Sequence, residues 1–283
     1  MAAKLLDGKK LSEQILSELR RSVTELKAKS IVPCLAVVLV GNKPDSVLYV
    51  GKKQEACRQT GIESKKISLP ESVSEKVLLS EIEKLNSDRG VHGILVQLPL
   101  PKQISREKIL DSVSIEKDVD GLNSESLALL SAGKDCLVSC TAKGILKLIE
   151  HTGIGIQGKK ACIINDSIVV GKPLAALLAN KGASVKVCNK FTANIPECIA
   201  EANIVVSAVG KKNLFSGEHL KQGAIVIDAG IFLEGKKVFG DFDFASAKEK
   251  ASWITPVPGG VGPMTVACLM ENTVLAASRI SGV

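Results

Sequence analysis

The sequence predicts an α/β fold organised as two domains. The chain has 283 residues, of which 45% are hydrophobic and 24% charged, so each half is long enough to bury a core of its own. Short apolar runs that suit parallel strands alternate with helical patterns in both halves. Residues 1–138 together with 264–283 are predicted to form one domain, and residues 139–263 the other.

The first half begins with a helix and then alternates strands with helices. Residues 5–29 carry apolar side chains at helical spacing and predict a long surface helix. The run P-C-L-A-V-V-L-V-G at 33–41 is continuously apolar and ends in glycine, which is typical of a parallel strand covered on both faces. The next predicted elements are a strand near 63–69, a helix from about 74 to 87 and a strand at 93–97.

The stretch from Ser46 to Gly61 predicts one turn of loop that leads into an amphipathic helix. Tyr49 is the only tyrosine of the chain, and it lies four residues before Lys53, so the two side chains share a helix face. An aromatic ring that stacks on a flat substrate and an amine that transfers a proton would suit this pattern. The alternative is a half-buried helix with a solvated lysine.

Two further motifs place polar side chains beside turns. Gln97 precedes L-P-L-P, and proline cannot extend a sheet, so Gln97 stands at the carboxyl end of a strand, where α/β sheets bind ligands. It is alternatively a simple strand-end cap. In E-K-D-V-D-G-L-N, Asp118 and Asp120 point to opposite sides of an extended backbone, so only one can face a site. The alternative for this motif is a plain Asp-Gly turn.

The second half has the pattern of a doubly wound, dinucleotide-binding sheet. A helix at 139–149, with Thr141 as candidate cap, leads into it. A helix near Gly171 separates the first two of four β-type runs, which lie at 160–164, 184–188, 203–210 and 224–230. The loops at the strand ends are expected to line one groove and lie at 165–173, 189–192, 208–211 and 228–231.

Composition narrows the class of function. No stretch offers the 18 or more apolar residues that a membrane span needs, and the N-terminus lacks a secretory signal. Eight cysteines lie mostly in apolar segments without metal-binding spacing, which predicts a reducing, cytoplasmic location and no metal. The net charge of +7 is dispersed, which favours small anions over nucleic acid.

Four motifs in the same order resemble one known family over nearly the whole chain. They are the Tyr49–Lys53 helix, V-H-G-I-L-V-Q-L-P-L-P at 91–101, E-K-D-V-D-G-L-N at 116–123 and T-P-V-P-G-G-V-G-P-M-T at 255–265. That family is the bifunctional methylenetetrahydrofolate dehydrogenase and methenyltetrahydrofolate cyclohydrolase. The resemblance implies a three-layer α/β catalytic domain, a Rossmann-like domain and an interdomain cleft, with the last helix returning to the catalytic domain.

The resemblance also implies an activity and its residues. The activity is NAD(P)-dependent oxidation of 5,10-methylenetetrahydrofolate and hydrolysis of the product to 10-formyltetrahydrofolate, by a homodimer whose folate substrate can be polyglutamylated. Tyr49 would stack on the folate, Asp120 would hold the pterin, Lys53 would transfer the proton, and Gln97 would orient Lys53. The implied folate-binding residues are Ser46, Tyr49, Gln97, Leu98, Pro99, Asp120, Gly259, Gly260 and Pro263. The implied cofactor-binding residues are Thr141, Asn165, Asp166, Ser167, Val170, Pro173, Lys190, Ala208, Val209, Gly210, Gly230, Ile231, Gly262 and Thr265.

The phosphate turn departs from the family pattern. Asn165 stands where the family has glycine, and Asp166 stands where an arginine holds the 2′-phosphate of NADP. A carboxylate about 5 Å from a phosphate charge costs roughly 3 kcal/mol at an effective dielectric near 20, or about a hundredfold in affinity. Lys190 would meet a 2′-phosphate or pair with Asp166, so both NAD and NADP remain open.

Two alternatives to the bifunctional enzyme follow from this departure. One retains the cyclohydrolase and loses the dehydrogenase, because the folate motifs are intact and the cofactor turn is altered. The other is a non-catalytic folate-binding or assembly module, which an intact Lys53 argues against. The family prolines are also replaced, by Ser139 and Ala142, which is expected to loosen entry into the second domain.

Overall fold

The computed structural model describes residues 2–235 and 237–283 and contains alternating strands and helices. The strands are β1 Lys4–Leu5, β2 Cys34–Val40, β3 Glu63–Leu69, β4 Gly93–Val96, β5 Lys160–Ile164, β6 Ser184–Cys188, β7 Ile204–Ser207, β8 Ile225–Asp228, β9 Phe232–Glu234, β10 Lys237–Phe239 and β11 Trp253–Ile254. The helices are α1 Gly8–Ala28, α2 Pro44–Thr60, α3 Glu75–Ser87, α4 Arg106–Asp111, α5 Ser124–Ser131, α6 Cys140–His151, α7 Gly171–Asn180, α8 Ile195–Ala200, α9 Phe244–Lys250 and α10 Val261–Ile280, with a 3₁₀ turn at Gly217–His219.

The chain divides into two compact units, each with its own parallel sheet. The three-stranded unit comprises residues 13–140 and 266–283, and its sheet has the order β3-β2-β4. The six-stranded unit comprises the described residues up to 12 together with 141–265, and its sheet has the order β1-β11-β8-β7-β5-β6. The two-domain α/β fold predicted from the sequence is confirmed.

The N-terminal residues lie in a different unit from the one predicted for them. The sequence pattern predicts that they belong to the first domain, whereas β1 pairs in parallel with β11 of the six-stranded sheet. The Lys4 amide donates to Ser252 O at 2.9 Å and the Leu6 amide donates to Ile254 O at 2.9 Å. The helix expected from residue 5 begins at Gly8 because this short strand precedes it. A two-residue strand has no hydrophobic period, so the sequence gives no signal for it.

The three-stranded unit has helices on both faces of its sheet. On one face, Leu35, Val37 and Leu39 of β2 share a core with residues of α1, α2 and α10. On the other face, Cys34, Ala36 and Val38 share a core with residues of α3 and α4. Because consecutive strand residues point to opposite faces, β2 is buried along its whole length, as its uninterrupted apolar run predicts. This gives the three layers expected of the unit.

A buried lysine fixes the chain just before the D-V-D-G segment. The Lys117 ammonium donates to Leu85 O at 3.1 Å, to Asn86 O at 2.7 Å and to Asp88 O at 2.8 Å. These carbonyls lie at the C-terminus of α3, where helix carbonyls lack partners within the helix. Burial lowers the pKa of Lys117. The contact anchors the start of the segment that carries Asp118 and Asp120.

The six-stranded unit confirms the four strands predicted for a doubly wound sheet. The predicted runs at 203–210 and 224–230 are shorter as strands, since β7 ends at Ser207 and β8 at Asp228, and both continue as loops. The sequence pattern does not predict β1, β11 or the β9–β10 hairpin. The candidate cap at Thr141 is wrong, because α6 begins at Cys140 and Thr141 is already helical. Thr141 instead accepts a hydrogen bond from the Thr265 hydroxyl at 3.3 Å.

Six of the eight cysteines are buried, and the described residues contain no disulfide bond. Cys136 of the three-stranded unit and Cys198 of the six-stranded unit are partly exposed. Each of their thiols donates to a nearby backbone carbonyl, that of Ser126 at 3.4 Å and that of Asn194 at 3.3 Å. Over residues 2–235 and 237–283, no helix combines the length and apolar character that crossing a membrane requires.

Candidate active site

Lys53 and Gln97 meet at the carboxyl end of the three-stranded sheet. Lys53 lies on α2, which ends at Thr60 because Gly61 adopts a left-handed φ of 81°. Gln97 follows the last residue of β4. The Lys53 ammonium donates to Gln97 Oε1 at 2.9 Å, and Gln97 Nε2 donates to Leu98 O at 2.7 Å. The second bond fixes the amide orientation, so the carbonyl oxygen faces the lysine.

Asp120 is the carboxylate that acts on Lys53. Burial lowers the pKa of Lys53, and the charge of Asp120 opposes that shift. Burial raises the pKa of Asp120, while the charge of Lys53 opposes that rise. Both shifts favour the neutral form, which brings an amine and a carboxyl closer to exchanging protons near neutral pH.

Asp118 points away from this pair and has a structural role. Its buried carboxylate accepts from the Asn123 amide at 2.8 Å and from the Ser126 hydroxyl at 3.0 Å. Burial raises the pKa of Asp118 to about 6 despite these donors. The two acids of D-V-D-G therefore separate as the sequence predicts, one into the core and one toward Lys53.

The turn after Asp120 requires glycine. Gly121 has a φ of 65°, and a Cβ there would lie 2.3 Å from the backbone of Val138 and Ser139. The preceding Val119 carbonyl is held by the Asn272 amide at 2.9 Å and by the Cys140 thiol at 3.1 Å. These contacts set the direction in which the Asp120 side chain leaves the backbone.

The remaining predicted folate residues of this unit differ in exposure. Tyr49 is 41% exposed, so its side chain is accessible to a ligand. The Lys52 ammonium lies 5.5 Å from the centre of that ring. Ser46 is buried in the first turn of α2, while Leu98 and Pro99 are joined by a cis peptide bond directly after Gln97.

In the six-stranded unit, Asn165 organises the turn after β5. Its Oδ1 accepts from the Ser167 amide at 2.9 Å, from the Ser167 hydroxyl at 2.6 Å and from the Gly171 amide at 3.2 Å. Its Nδ2 donates to Ala208 O at 2.8 Å, which ties this turn to the loop after β7. The asparagine that replaces the family glycine thus has a structural role that glycine lacks.

The same turn leaves little room for ligand contact at three positions. Val170 and Pro173 are buried, so their side chains belong to the core. A Cβ on Gly171 would lie 1.9 Å from Asn165 O, so only glycine fits there. The amides of Ser167 and Gly171 are bonded within the turn, so the α7 N-terminus does not present them to a ligand.

Asp166 and Lys190 have separate partners. The Asp166 carboxylate accepts from Asn189 Nδ2 at 3.0 Å, and Asn189 Oδ1 accepts from the Phe191 amide at 3.0 Å. The Lys190 ammonium lies 4.9 Å from the centre of the Phe191 ring. Asn189, rather than Lys190, therefore occupies the place beside Asp166.

The loops after β7 and β8 expose apolar side chains that fit a flat ring. Val209 is 39% exposed and Ile231 is 48% exposed. Gly210 has a φ of 78°, and a Cβ there would meet only Ile231 O, at 3.4 Å. These side chains suit an aromatic heterocycle, and the turn residue Asp166 with Asn189 suits a ribose, so the described residues fit a dinucleotide. The buried Asp228 and Asp241, which support the loops after β7 and β8, were not identified from the sequence.

The proline and glycine loop before α10 also requires its glycines. Gly259 has a φ of 108°, and its carbonyl accepts from the Lys9 amide at 2.9 Å. A Cβ on Gly260 would lie 2.7 Å from Pro256 O. Gly262 and Pro263 lie in the first turn of α10. Among the described residues, no cluster of three or more His, Cys, Asp or Glu side chains could hold a metal ion.

Comparisons with known proteins match both units. Residues 6–120 match the catalytic domain of tetrahydrofolate dehydrogenase/cyclohydrolase, and residues 139–281 match the NAD(P)-binding domain of the same family. This chain belongs to that family. Family membership makes it an oxidoreductase and hydrolase of one-carbon folate metabolism with a nicotinamide dinucleotide cofactor. The resemblance seen in the four sequence motifs is confirmed.

Individual family members agree along the whole chain. The bifunctional protein FolD of Moorella thermoacetica is 47% identical over 280 residues, which cover 99% of this chain and 100% of the relative. The crystal structure of the bifunctional enzyme FolD from Campylobacter jejuni is 45% identical, with a TM-score of 0.97 and coverage of 98% and 99% of the two chains. The Trypanosoma brucei enzyme, solved with NADP and an inhibitor, is 34% identical with a TM-score of 0.96 and covers 100% of both chains.

Proposed function

We propose that this protein oxidises 5,10-methylenetetrahydrofolate and hydrolyses the resulting 5,10-methenyltetrahydrofolate to 10-formyltetrahydrofolate, with Lys53 as the group that transfers protons. The observation that carries the assignment is the cluster of Lys53, Gln97 and Asp120. A lysine whose pKa is lowered by burial supplies a neutral amine at a lower pH than a solvated lysine does.

In the hydrolysis, Lys53 removes and returns one proton. As water adds to the methenyl carbon, the neutral amine accepts a proton from that water. When the bond between this carbon and N5 of the pterin breaks, the ammonium returns its proton to N5. The second proton of the added water is released to solvent as the carbonyl forms, and the formyl group stays on N10. Gln97 Oε1, at 2.9 Å from Lys53 Nζ, orients the amine throughout.

Substrate binding is assigned to neighbouring side chains. Asp120 would accept hydrogen bonds from the pterin, and such a bond to a charged group contributes about 1.5 to 3 kcal/mol. The exposed face of Tyr49 would stack on the folate. Neither group needs to exchange protons, so we expect both to act mainly on affinity.

In the oxidation, the nicotinamide ring of a bound dinucleotide would supply the acceptor for the hydride that leaves the methylene carbon. The chain positions this ring and excludes water. We assign the contacts with the ring to the exposed side chains of Val209 and Ile231 and to Gly210 between them. The remaining residues that the family resemblance implies for this cofactor stay predictions.

We further propose that the protein binds NAD at least as well as NADP. The support is the pair formed by Asp166 and Asn189, whose carboxylate and amide are suited to a free 2′-hydroxyl. A 2′-phosphate beside this carboxylate would be repelled by roughly 3 kcal/mol before solvent screening. The Lys190 ammonium lies over the ring of Phe191, and the hydrogen-bond partner of Asp166 is the neutral amide of Asn189.

The experiment that tests the proposed function measures both activities and both cofactors on one preparation. Cyclohydrolase turnover is followed by the loss of methenyltetrahydrofolate absorbance without any dinucleotide, and dehydrogenase turnover is followed by its formation with NAD or NADP. We expect both activities. Loss of either activity contradicts that half of the proposal, and NADP binding tenfold tighter than NAD contradicts the cofactor preference.

Four further properties are proposed from family membership rather than from the site. The protein is expected to act as a homodimer in the cytoplasm, to accept polyglutamylated folate, and to use neither nucleic acid nor membrane as a partner. The dispersed net charge of +7 suits a polyanionic glutamate tail. Sedimentation measures the oligomeric state, and the Michaelis constants of mono- and polyglutamylated substrates test the tail.

A further inference from the structure

A buried carboxylate stands behind the loop that follows β7. Asp241 is fully buried and accepts four hydrogen bonds. Its Oδ2 accepts from the Ser207 hydroxyl at 2.6 Å and from the Val209 amide at 2.7 Å. Its Oδ1 accepts from the Gly210 amide at 2.8 Å and from the Lys211 amide at 2.8 Å. Three consecutive backbone amides therefore converge on one side chain from a segment about 30 residues away.

This arrangement is an anion-binding concavity that the protein fills with its own carboxylate. Consecutive backbone amides that point to one spot bind anions in many proteins. Because an ionised carboxylate can accept four bonds, Asp241 satisfies every donor aimed at it. An uncharged side chain of the same size lacks that capacity.

The first peptide of the loop is held from both sides. The amide of Val209 donates to Asp241 and the carbonyl of Ala208, in the same peptide group, accepts from Asn165 Nδ2 at 2.8 Å. A peptide group is planar, with its N–H and C=O on opposite sides. Bonds at both ends therefore fix the rotation of this plane, and with it the direction in which the Val209 side chain leaves the loop.

Asp241 also touches the second apolar loop. A Cβ on Gly230 would lie 2.2 Å from the Asp241 carboxyl carbon, so this loop packs directly against the carboxylate. The neighbouring Asp228 accepts from the Gly230 amide at 3.0 Å, from the Asp241 amide at 3.0 Å and from the Phe242 amide at 2.9 Å. The carboxylate of Asp241 is thus the common support of the Val209 loop and the Gly230–Ile231 loop.

We propose that Asp241 is a positioning residue for the dinucleotide: it sets the relative placement of the two loops whose exposed side chains, Val209 and Ile231, receive the nicotinamide cofactor. The inference rests on the proposed function, because it assumes that these loops bind the dinucleotide. Asp241 is buried and does not itself touch the ligand. Its effect is therefore expected in cofactor affinity and in hydride transfer, not in folate hydrolysis.

The test is a variant that removes the carboxylate of Asp241 and keeps the shape of the side chain. In Asp241→Asn, the amide nitrogen must face either Ser207 and Val209 or Gly210 and Lys211, which places donors against donors. We expect the dissociation constants of NAD and NADP, measured by titration calorimetry, to rise at least tenfold. The cyclohydrolase rate without dinucleotide is expected to stay within twofold of the unmodified protein. Asp243→Asn is the matched control, since it makes the same change at the N-cap of α9, where asparagine also caps well.

A milder variant decides the result should Asp241→Asn fail to fold. Ser207→Ala removes one of the four donors and keeps the carboxylate, so we expect a two- to fivefold rise in the same dissociation constants. Unchanged dinucleotide affinity in Ser207→Ala and in folded Asp241→Asn overturns the inference, as does a cyclohydrolase rate that falls in step with affinity. An unmodified protein that binds neither dinucleotide instead overturns the proposed function.

Discussion

The candidate binding sites of the two units use buried ionisable side chains in opposite ways. In the three-stranded unit, the ionisable side chains of Lys53 and Asp120 interact through their charges, and burial shifts both pKa values in the direction that favours the neutral form. In the six-stranded unit, the buried carboxylate of Asp241 turns inward and holds backbone amides. In the first arrangement a side chain can transfer a proton, whereas in the second the carboxylate holds the backbone of a loop in place. Loss of Lys53 is therefore expected to alter the reaction rate, and loss of Asp241 to alter the affinity for the dinucleotide.

The largest expected effect tests the proton-transfer role. Lys53→Met should lower the cyclohydrolase rate about a thousandfold while folate affinity stays within about tenfold, because a proton carrier is lost and the stacking surface remains. Stopped-flow hydrolysis and equilibrium binding of a folate inhibitor measure the two quantities. Lys76→Met, at an exposed position of α3, is the control. A normal hydrolysis rate in Lys53→Met removes Lys53 from the chemistry.

The next effect concerns stability and compares one buried acid in each unit. Burial raises the pKa of Asp118 and of Asp228 to about 6. Each folded-state pKa exceeds the ordinary value near 3.8, so the protonated acid stabilises the folded state. This contribution is complete below about pH 4 and is lost as the pH rises through about 6. Two pKa units correspond to about 3 kcal/mol.

Asp118→Asn removes this titration from the three-stranded unit alone. The unfolding free energy of the variant, relative to that of the parent, should therefore rise by about 2 to 3 kcal/mol between pH 4 and pH 7. Urea unfolding at several pH values measures the difference. A difference that does not depend on pH shows that Asp118 is charged throughout this range.

A third change asks whether every residue near Lys53 acts on rate. Asp120→Ala should weaken folate binding by about ten- to a hundredfold, since a hydrogen bond to a charged group is lost. Asp135→Ala, which removes an acid paired with Arg279 on the surface of the same unit, serves as the control. If Asp120→Ala lowers only the rate, Asp120 belongs with Lys53 as a proton carrier and not with the binding residues.

The smallest expected effect is a gain. Asp166→Arg should raise NADP affinity at least tenfold, because a repulsion of about 3 kcal/mol, reduced by solvent screening, becomes an attraction. Asp166→Asn removes the repulsion without adding attraction and should lie between the two. Tight NADP binding by the unmodified protein with no gain in the arginine variant indicates that Lys190 already holds the phosphate.

Elements that have a hydrophobic period could be predicted from the sequence, whereas contacts made through backbone groups could not. The apolar run of β2 and the strand that ends before Gln97 were recognisable, because a buried strand must be apolar. The separation of Asp118 from Asp120 followed from strand geometry, although the assignment of Asp120 to the pterin came only from family resemblance. Lys53 and Gln97 are 44 residues apart, and their local sequence does not predict the hydrogen bond between them.

The support of the cofactor loops was beyond sequence reasoning for a different reason. Asp241 binds backbone amides, which every residue except proline carries, so the sequence around them has no signature. The pairing of β1 with β11 was missed because each strand has two residues. Asn165 was noted as a departure from the family, but its bond to Ala208 O required the fold to bring the two loops together.

The distribution of cysteines gives the protein a built-in pair of attachment points. Cys136 and Cys198 are the two partly exposed thiols, and each unit contains one of them, while the other six cysteines are buried. A maleimide dye should therefore react with one position per unit without any engineered residue. With a donor and an acceptor fluorophore attached, resonance energy transfer would measure the separation of the two units in solution.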